Sequence, residues 1–138
     1  LSFKYKNLEI HSHTRGDIIL DGYVDLRSLV QSQKNYIRIY WIDSHALSIK
    51  SNTGSFDGAG YVKMLSVDAT GDANLNLSGL RGDHLWVKMK GNSSIYLGGF
   101  IYCNLFLDEF SELRLASYPK FYNVSKQKNS QYYFGAPL

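Results

Sequence analysis

Four charged residues, Lys50, Asp68, Lys88 and Asp108, recur at intervals of 18 to 20 residues with alternating sign. Beside them Ser48, Ser66, Trp86 and Phe106 keep a similar spacing. Residues repeating at one interval stack into outward ladders when each interval is one turn of a coil. On such a face Trp86 and Phe106 offer a platform for a sugar ring, and the flanking charges offer hydrogen bonds to its hydroxyls. Asp68 and Asp108 would then lie two turns, about 9–10 Å, apart, near the upper limit for an inverting pair of glycosidase carboxylates. Lys88 between them would hold both ionised, whereas a general acid needs a raised pKa, so hydrolysis is not expected. The plainer reading is a solvated face whose alternating charges, with His11 as a candidate first member, avoid like-charge stacking.

Other chemistry-bearing residues are sparser. Arg-Gly-Asp occurs twice, at 15–17 and 81–83; it invites an adhesion-receptor reading, although Gly-Asp is also what tight turns demand. His11 and His13 share one face of a strand, yet no third ligand accompanies them, so no metal is expected. Cys103 shares parity with Ile101 and Leu105, which reads as a small buried hydrophobe without a base or acid beside it. As the lone cysteine it excludes an intrachain disulfide framework. Phosphate loops, dinucleotide fingerprints and zinc-protease helices are absent from the sequence, and no cofactor is expected.

These residues must be carried by something, and 138 residues suffice for one domain with a real core. Eleven tyrosines within a 14% aromatic share suit β structure, since Tyr favours half-buried pleated surface. A net charge of +3, with Lys and Arg scattered, gives no basic stripe for nucleic acid. No apolar run approaches the roughly 18 residues of a membrane span. The chain opens on Leu1 rather than Met, as expected of a processed or excised segment.

An apolar position recurs at Ile18, Ile37, Phe56, Leu75, Ile95, Leu113 and Tyr132, with an apolar partner two residues on, except at Gly58. A large residue stands five on, at Tyr23, Ile42, Tyr61, Leu80, Phe100 and Tyr118, and Gly usually precedes it; Trp41 and Ser117 break that glycine column. A second apolar pair follows in each unit: Leu8/Ile10, Leu47/Ile49, Leu65/Val67, Leu85/Val87, Leu105/Leu107 and Tyr122/Val124. Leu26, Leu29 and Val30 leave two registers open in the unit after Ile18. Period-two pairs are strands with one buried face. Two strands every ~19 residues allow a sandwich or barrel, but only stacking explains why residue type stays constant at one offset. The expectation is an all-β fold over 1–138: a right-handed parallel β-helix of about seven rungs, with 118–138 as its capping segment.

The phrases Gly71-Asp72-Ala73-x-Leu75-x-Leu77-Ser78-Gly79-Leu80 and Asp83-x-Leu85-x-Val87-x-Met89-x-Gly91 resemble the auto-transporter adhesin, head GIN domain family of bacterial envelope proteins. The tail, with Tyr118-Pro119-Lys120 and Tyr133-Phe134-Gly135-Ala136-Pro137, is similar to that family's closing segment. The resemblance implies a right-handed β-helical fold, export to the periplasm, outer membrane or cell surface, and no catalytic residues. Trp41 in place of Gly and an irregular first unit depart from the pattern.

The function expected is therefore a non-enzymatic envelope module that binds a glycan or another envelope protein through a flat ladder face. The alternatives are a structural subunit of a larger envelope or secretion assembly and a polysaccharide-processing enzyme. Tyr132, Tyr133 and Phe134 are expected to cap the last rung or dock into a partner.

Overall fold

The computed structural model describes residues 3–135. They form strands β1 (Tyr5–Ser12), β2 (Ile18–Gln31), β3 (Tyr36–Ser51), β4 (Ser55–Ala69), β5 (Asn74–Met89), β6 (Ser94–Leu97), β7 (Phe100–Leu107), β8 (Glu112–Leu115), β9 (Phe121–Lys126) and β10 (Gln131–Phe134). Every strand pairing among them is parallel, which excludes the sandwich and barrel alternatives. The chain coils as a β-solenoid of about 7 turns with ~19 residues per turn. The described residues contain no helix, and so none long and apolar enough to cross a membrane.

The first apolar column stacks in the expected register, Ile18 on Ile37, Phe56, Leu75, Ile95, Leu113 and Tyr132. Its five central members are buried, because alternation sends every second side chain to the interior of the coil. Gly58 interrupts the neighbouring column between Ile39 and Leu77, and the gap is filled from the side. An added Cβ there would stand 3.1 Å from Leu77, 3.2 Å from Ile42 and 3.4 Å from the Phe56 ring. Phe56, the one Phe in its column, compensates in volume for the absent side chain.

The second column runs Ile10, Leu29, Ile49, Val67, Val87, Leu105 and Val124. Leu29 thus resolves the ambiguous register, and Val30 falls beside Lys50 on the outer side. A bulge between Val24 and Ser28 lets Leu26 also point inward, against Leu8. The pair expected at Leu105/Leu107 is displaced by two residues: Cys103 stacks on Leu85, Leu105 on Val87 and Leu107 on Met89. Ten residues separate Leu75 from Leu85, but only eight separate Ile95 from Cys103, because the corner at Gly98-Gly99 is shorter.

Corners also break the expected column of large residues. Val24, Ile42, Val62, Leu80 and Phe100 point inward there, whereas Tyr61 and Tyr118 are exposed. Register shifts of one or two residues at successive corners change which residue turns inward. Ile101 is likewise exposed, although Cys103 is buried.

On the opposite side four short turns share one hydrogen bond, from the N–H of Ala73, Ser111 and Ser130 to the carbonyl three residues earlier, with Ser93 using its Oγ instead. The second residue of each is left-handed: Gly71 (φ 59°), Gly91 (φ 70°), Glu109 (φ 61°) and Lys128 (φ 55°). In the first turns a buried polar cluster fills the place later taken by Ala69, Met89 and Leu107. Gln31 Nε2 donates to the carbonyls of Asn35 and Ser55 (3.2 and 3.1 Å), and Ser51 Oγ donates to Gln31 Oε1 (3.0 Å).

The segment expected as a cap makes the last turn. β9 lies on β7 and β10 on β8, with Tyr132 over Leu113, Tyr133 over Arg114 and Phe134 over Leu115. The Phe134 ring meets Tyr118, Tyr122 and Tyr132 at centroid distances of 5.8, 5.0 and 5.2 Å. Ala136 and Pro137 of the tail phrase lie outside the described residues.

Candidate functional site

The ladder face differs from its expected composition. Trp86 stacks between Ser66 and Asn104, while Lys50, Asp68 and Lys88 are followed by Phe106. Trp86 and Phe106 therefore belong to different columns, and the two-ring platform expected from them does not form. His11 does occupy the charged column, with Val30 between it and Lys50. Asp108 lies just past the end of β7, two residues beyond Phe106, its N–H donating to the Met89 carbonyl at 3.0 Å. It lies 3.8 Å from Lys128 Nζ and accepts the Glu109 N–H at 2.7 Å. Asp68 and Asp108 thus do not flank one position, and the spacing of a glycosidase pair is lost with the two-residue displacement. Among the described residues no ion pair closes between Lys50, Asp68 and Lys88, so this face is a solvated ladder of alternating charge.

Beside it runs an aromatic stack missed in the sequence. His84 meets Tyr102 at 4.8 Å, Tyr102 meets Phe121 at 5.2 Å, and Trp86 lies 5.8 Å from His84. Tyr102 stacks between His84 and Phe121 on successive turns, while Trp86 lies beside His84 on the same strand. The remaining histidine pair, His11 and His13, has ring centroids 6.5 Å apart. Both Arg-Gly-Asp triplets are built into the coil, in different ways. Asp17 accepts the Tyr36 N–H at 3.1 Å from an exposed turn, whereas Asp83 accepts the Tyr61 hydroxyl at 2.9 Å from within β5. That bond, followed by partial burial, raises the Tyr61 pKa.

Cys103 is 2% exposed, and burial pushes its thiol up to about 12. The folded chain keeps that proton, so this contribution to stability is whole below pH 9 and declines as pH rises toward 12. A thiol reagent such as iodoacetamide at pH 8 is expected to leave native Cys103 unmodified and to alkylate it fully in urea. Rapid native labelling would contradict the burial.

The most distinctive concavity lies at the corner between the two strand columns. A groove of about 470 Å³ runs along the coil axis from Tyr23 to Ala116, floored by Gly60, Gly79, Gly98 and Gly99. Stacking itself demands this floor. An added Cβ would lie 1.9 Å from the Ile42 oxygen at Gly60, 2.9 Å from the Ala59 Cβ at Gly79, and 2.4 Å from the Leu80 oxygen at Gly98. What stacking does not demand is the wall. Trp41 is 53% exposed, with its ring backed by Tyr23 at 6.3 Å and an interplanar angle of 28°.

Asp43, Tyr61 and Arg81 stack in one column on successive turns, forming the side wall next to Trp41. Asp83 is engaged by Tyr61, and among the described residues neither Asp43 nor Arg81 forms an ion pair. Ser78 and Gly79 also border a second hollow of about 320 Å³ that reaches Arg38, Asp57 and Asn76, so the polar surface continues onto the first strand face. An open groove with a supported indole at one end and unpaired charges along one wall can stack an apolar ring face while meeting its polar substituents. The sequence signal for it is Trp41 itself, a large residue at the offset where Gly22, Gly60, Gly79 and Gly99 stand in other units and Ser117 in one more.

Comparison of the chain with protein-family models, curated proteins and solved structures finds no match.

Proposed function

We propose that this protein is a non-enzymatic carbohydrate-binding β-solenoid of a bacterial cell envelope, exported and adhesin-like in role, with the corner groove as its binding site. The observation that carries the reading is the half-exposed Trp41 ring, braced by Tyr23 at the head of a groove with Asp43 and Arg81 in its wall. A sugar has two kinds of surface: an apolar ring face that stacks on indole and equatorial hydroxyls that seek carboxylate and guanidinium groups. The envelope placement is supported by the turn-and-strand phrases around Leu75 and Leu85 that resemble head GIN domains. A binding role rather than hydrolysis is supported by the separation of Asp68 from Asp108 and by the burial of Cys103.

A glycan array tests the proposal. Binding is expected to fall about 30-fold in Trp41→Ala, since covering the exposed half of the indole contributes roughly 2 kcal/mol. Trp86→Ala, on another face, is expected to bind as the parent does. No glycan bound, or binding that depends on Trp86 and not on Trp41, would reject the assignment. Circular dichroism and thermal midpoint confirm that each variant is folded.

A further inference from the structure

We infer that the groove selects a linear oligosaccharide of mixed character, placing a neutral sugar on Trp41 and a uronic acid carboxylate on Arg81. The inference rests on the carbohydrate reading above and adds the order of charges along the ligand. Trp41 and Asp43 stand on the same turn, and Arg81 stands two turns farther on. Parallel stacking puts those turns about 9–10 Å apart, the reach of one or two sugar rings along the axis. Asp43 at the indole end accepts hydroxyl hydrogens from the stacked ring and repels a carboxylate there, so the acidic sugar is excluded from the Trp41 position.

Arg81 offers the opposite preference. Its guanidinium has no ion-pair partner among the described residues, and the nearest carboxylate in sequence, Asp83, is held by the Tyr61 hydroxyl at 2.9 Å. A planar guanidinium without a partner is suited to a bidentate carboxylate. The order of the wall, Asp43 then Tyr61 then Arg81, therefore gives the groove a polarity that a uniformly neutral or uniformly acidic chain does not match. Close stacking of the corners accounts for the glycine floor, so only the wall distinguishes one ligand from another.

The test uses hyaluronan and chondroitin tetrasaccharides, in which uronic acid alternates with a neutral N-acetylhexosamine, each in native and methyl-esterified form. A polygalacturonate tetrasaccharide and a chitin tetrasaccharide serve as the uniformly acidic and uniformly neutral probes. Native mixed tetrasaccharides are expected to bind at least tenfold more tightly than their esters and than both uniform probes. Arg81→Gln is expected to remove the difference between native and esterified forms while keeping residual binding. Asp43→Asn is expected to raise affinity for polygalacturonate. Esters that bind as well as the native forms, with binding still lost in Trp41→Ala, would overturn the charge order and leave the carbohydrate reading standing. Absence of binding by every probe overturns the charge order, and if the glycan array is also blank the carbohydrate reading falls with it.

Discussion

Gly82→Ala is expected to destabilise the fold by about 3 kcal/mol or more, while Gly16→Ala is expected to change stability by no more than about 0.5 kcal/mol. Both glycines are the middle residue of an Arg-Gly-Asp triplet, so the sequence context is the same. At Gly82 an added Cβ would stand 1.6 Å from the Val62 carbonyl oxygen and 2.9 Å from the Phe100 ring. The Gly82 N–H meanwhile donates to the Gly99 carbonyl at 3.1 Å, which ties the strand to the next turn. The Val62 contact is backbone and the Phe100 ring is itself buried, so the turn must separate, at a cost of about 3 kcal/mol or more. At Gly16 the nearest atom is Thr14 Oγ1, 3.8 Å away, and ordinary contact is all that Ala would make. Thermal and urea denaturation of the two variants is the measurement. A Gly82→Ala melt within a few degrees of the parent would show that the corner is looser than this packing implies.

Phe56→Ala is the second large effect, at about 4 kcal/mol, the usual cost of removing a buried aromatic ring. Gly58, two residues on along the same strand, contributes no side chain that could refill the space. The relation between the two positions gives a sharper test than the single truncation. Phe56→Leu alone is expected to cost about 1–2 kcal/mol through the cavity it leaves. Gly58→Ala alone is expected to cost about 1 kcal/mol, since its Cβ would meet Leu77, Ile42 and Phe56 at 3.1 to 3.4 Å. The double variant is expected to be more stable than the sum of the two by at least about 0.5 kcal/mol, because the new methyl takes up the space the ring gave back. Strict additivity in urea titrations would mean that the ring does not stand in for the missing side chain.

The straight parts of the coil were legible in the sequence because period-two alternation commits every second residue to the interior. The column from Ile18 to Tyr132 could be read directly, including its varying interval. The corners were not legible, since a turn of the backbone can gain or lose a residue while the flanking apolar pairs remain intact. The loss of two residues at Gly98-Gly99 carried Phe106 and Asp108 away from their expected neighbours, and with them the surface platform expected around Trp86. The groove was hidden for a related reason. In the sequence Tyr23 falls in the column of large residues and Trp41 in a break of the glycine column, yet they are stacked partners at one corner. The size of Trp41 was visible; its direction depended on a bulge between Ile39 and Ile42 that leaves no mark in the residue pattern.

The shared geometry of the short turns at Thr70–Ala73, Lys90–Ser93, Asp108–Ser111 and Gln127–Ser130 makes the middle of the chain modular. A duplicated stretch running from one such bend to the next would slot in with matching entry and exit directions, advancing everything beyond it by about 4.8 Å. Gene-level duplication or deletion of one unit would therefore act as a ruler adjustment, setting the length of the coil and of the corner groove along it without redesigning either end.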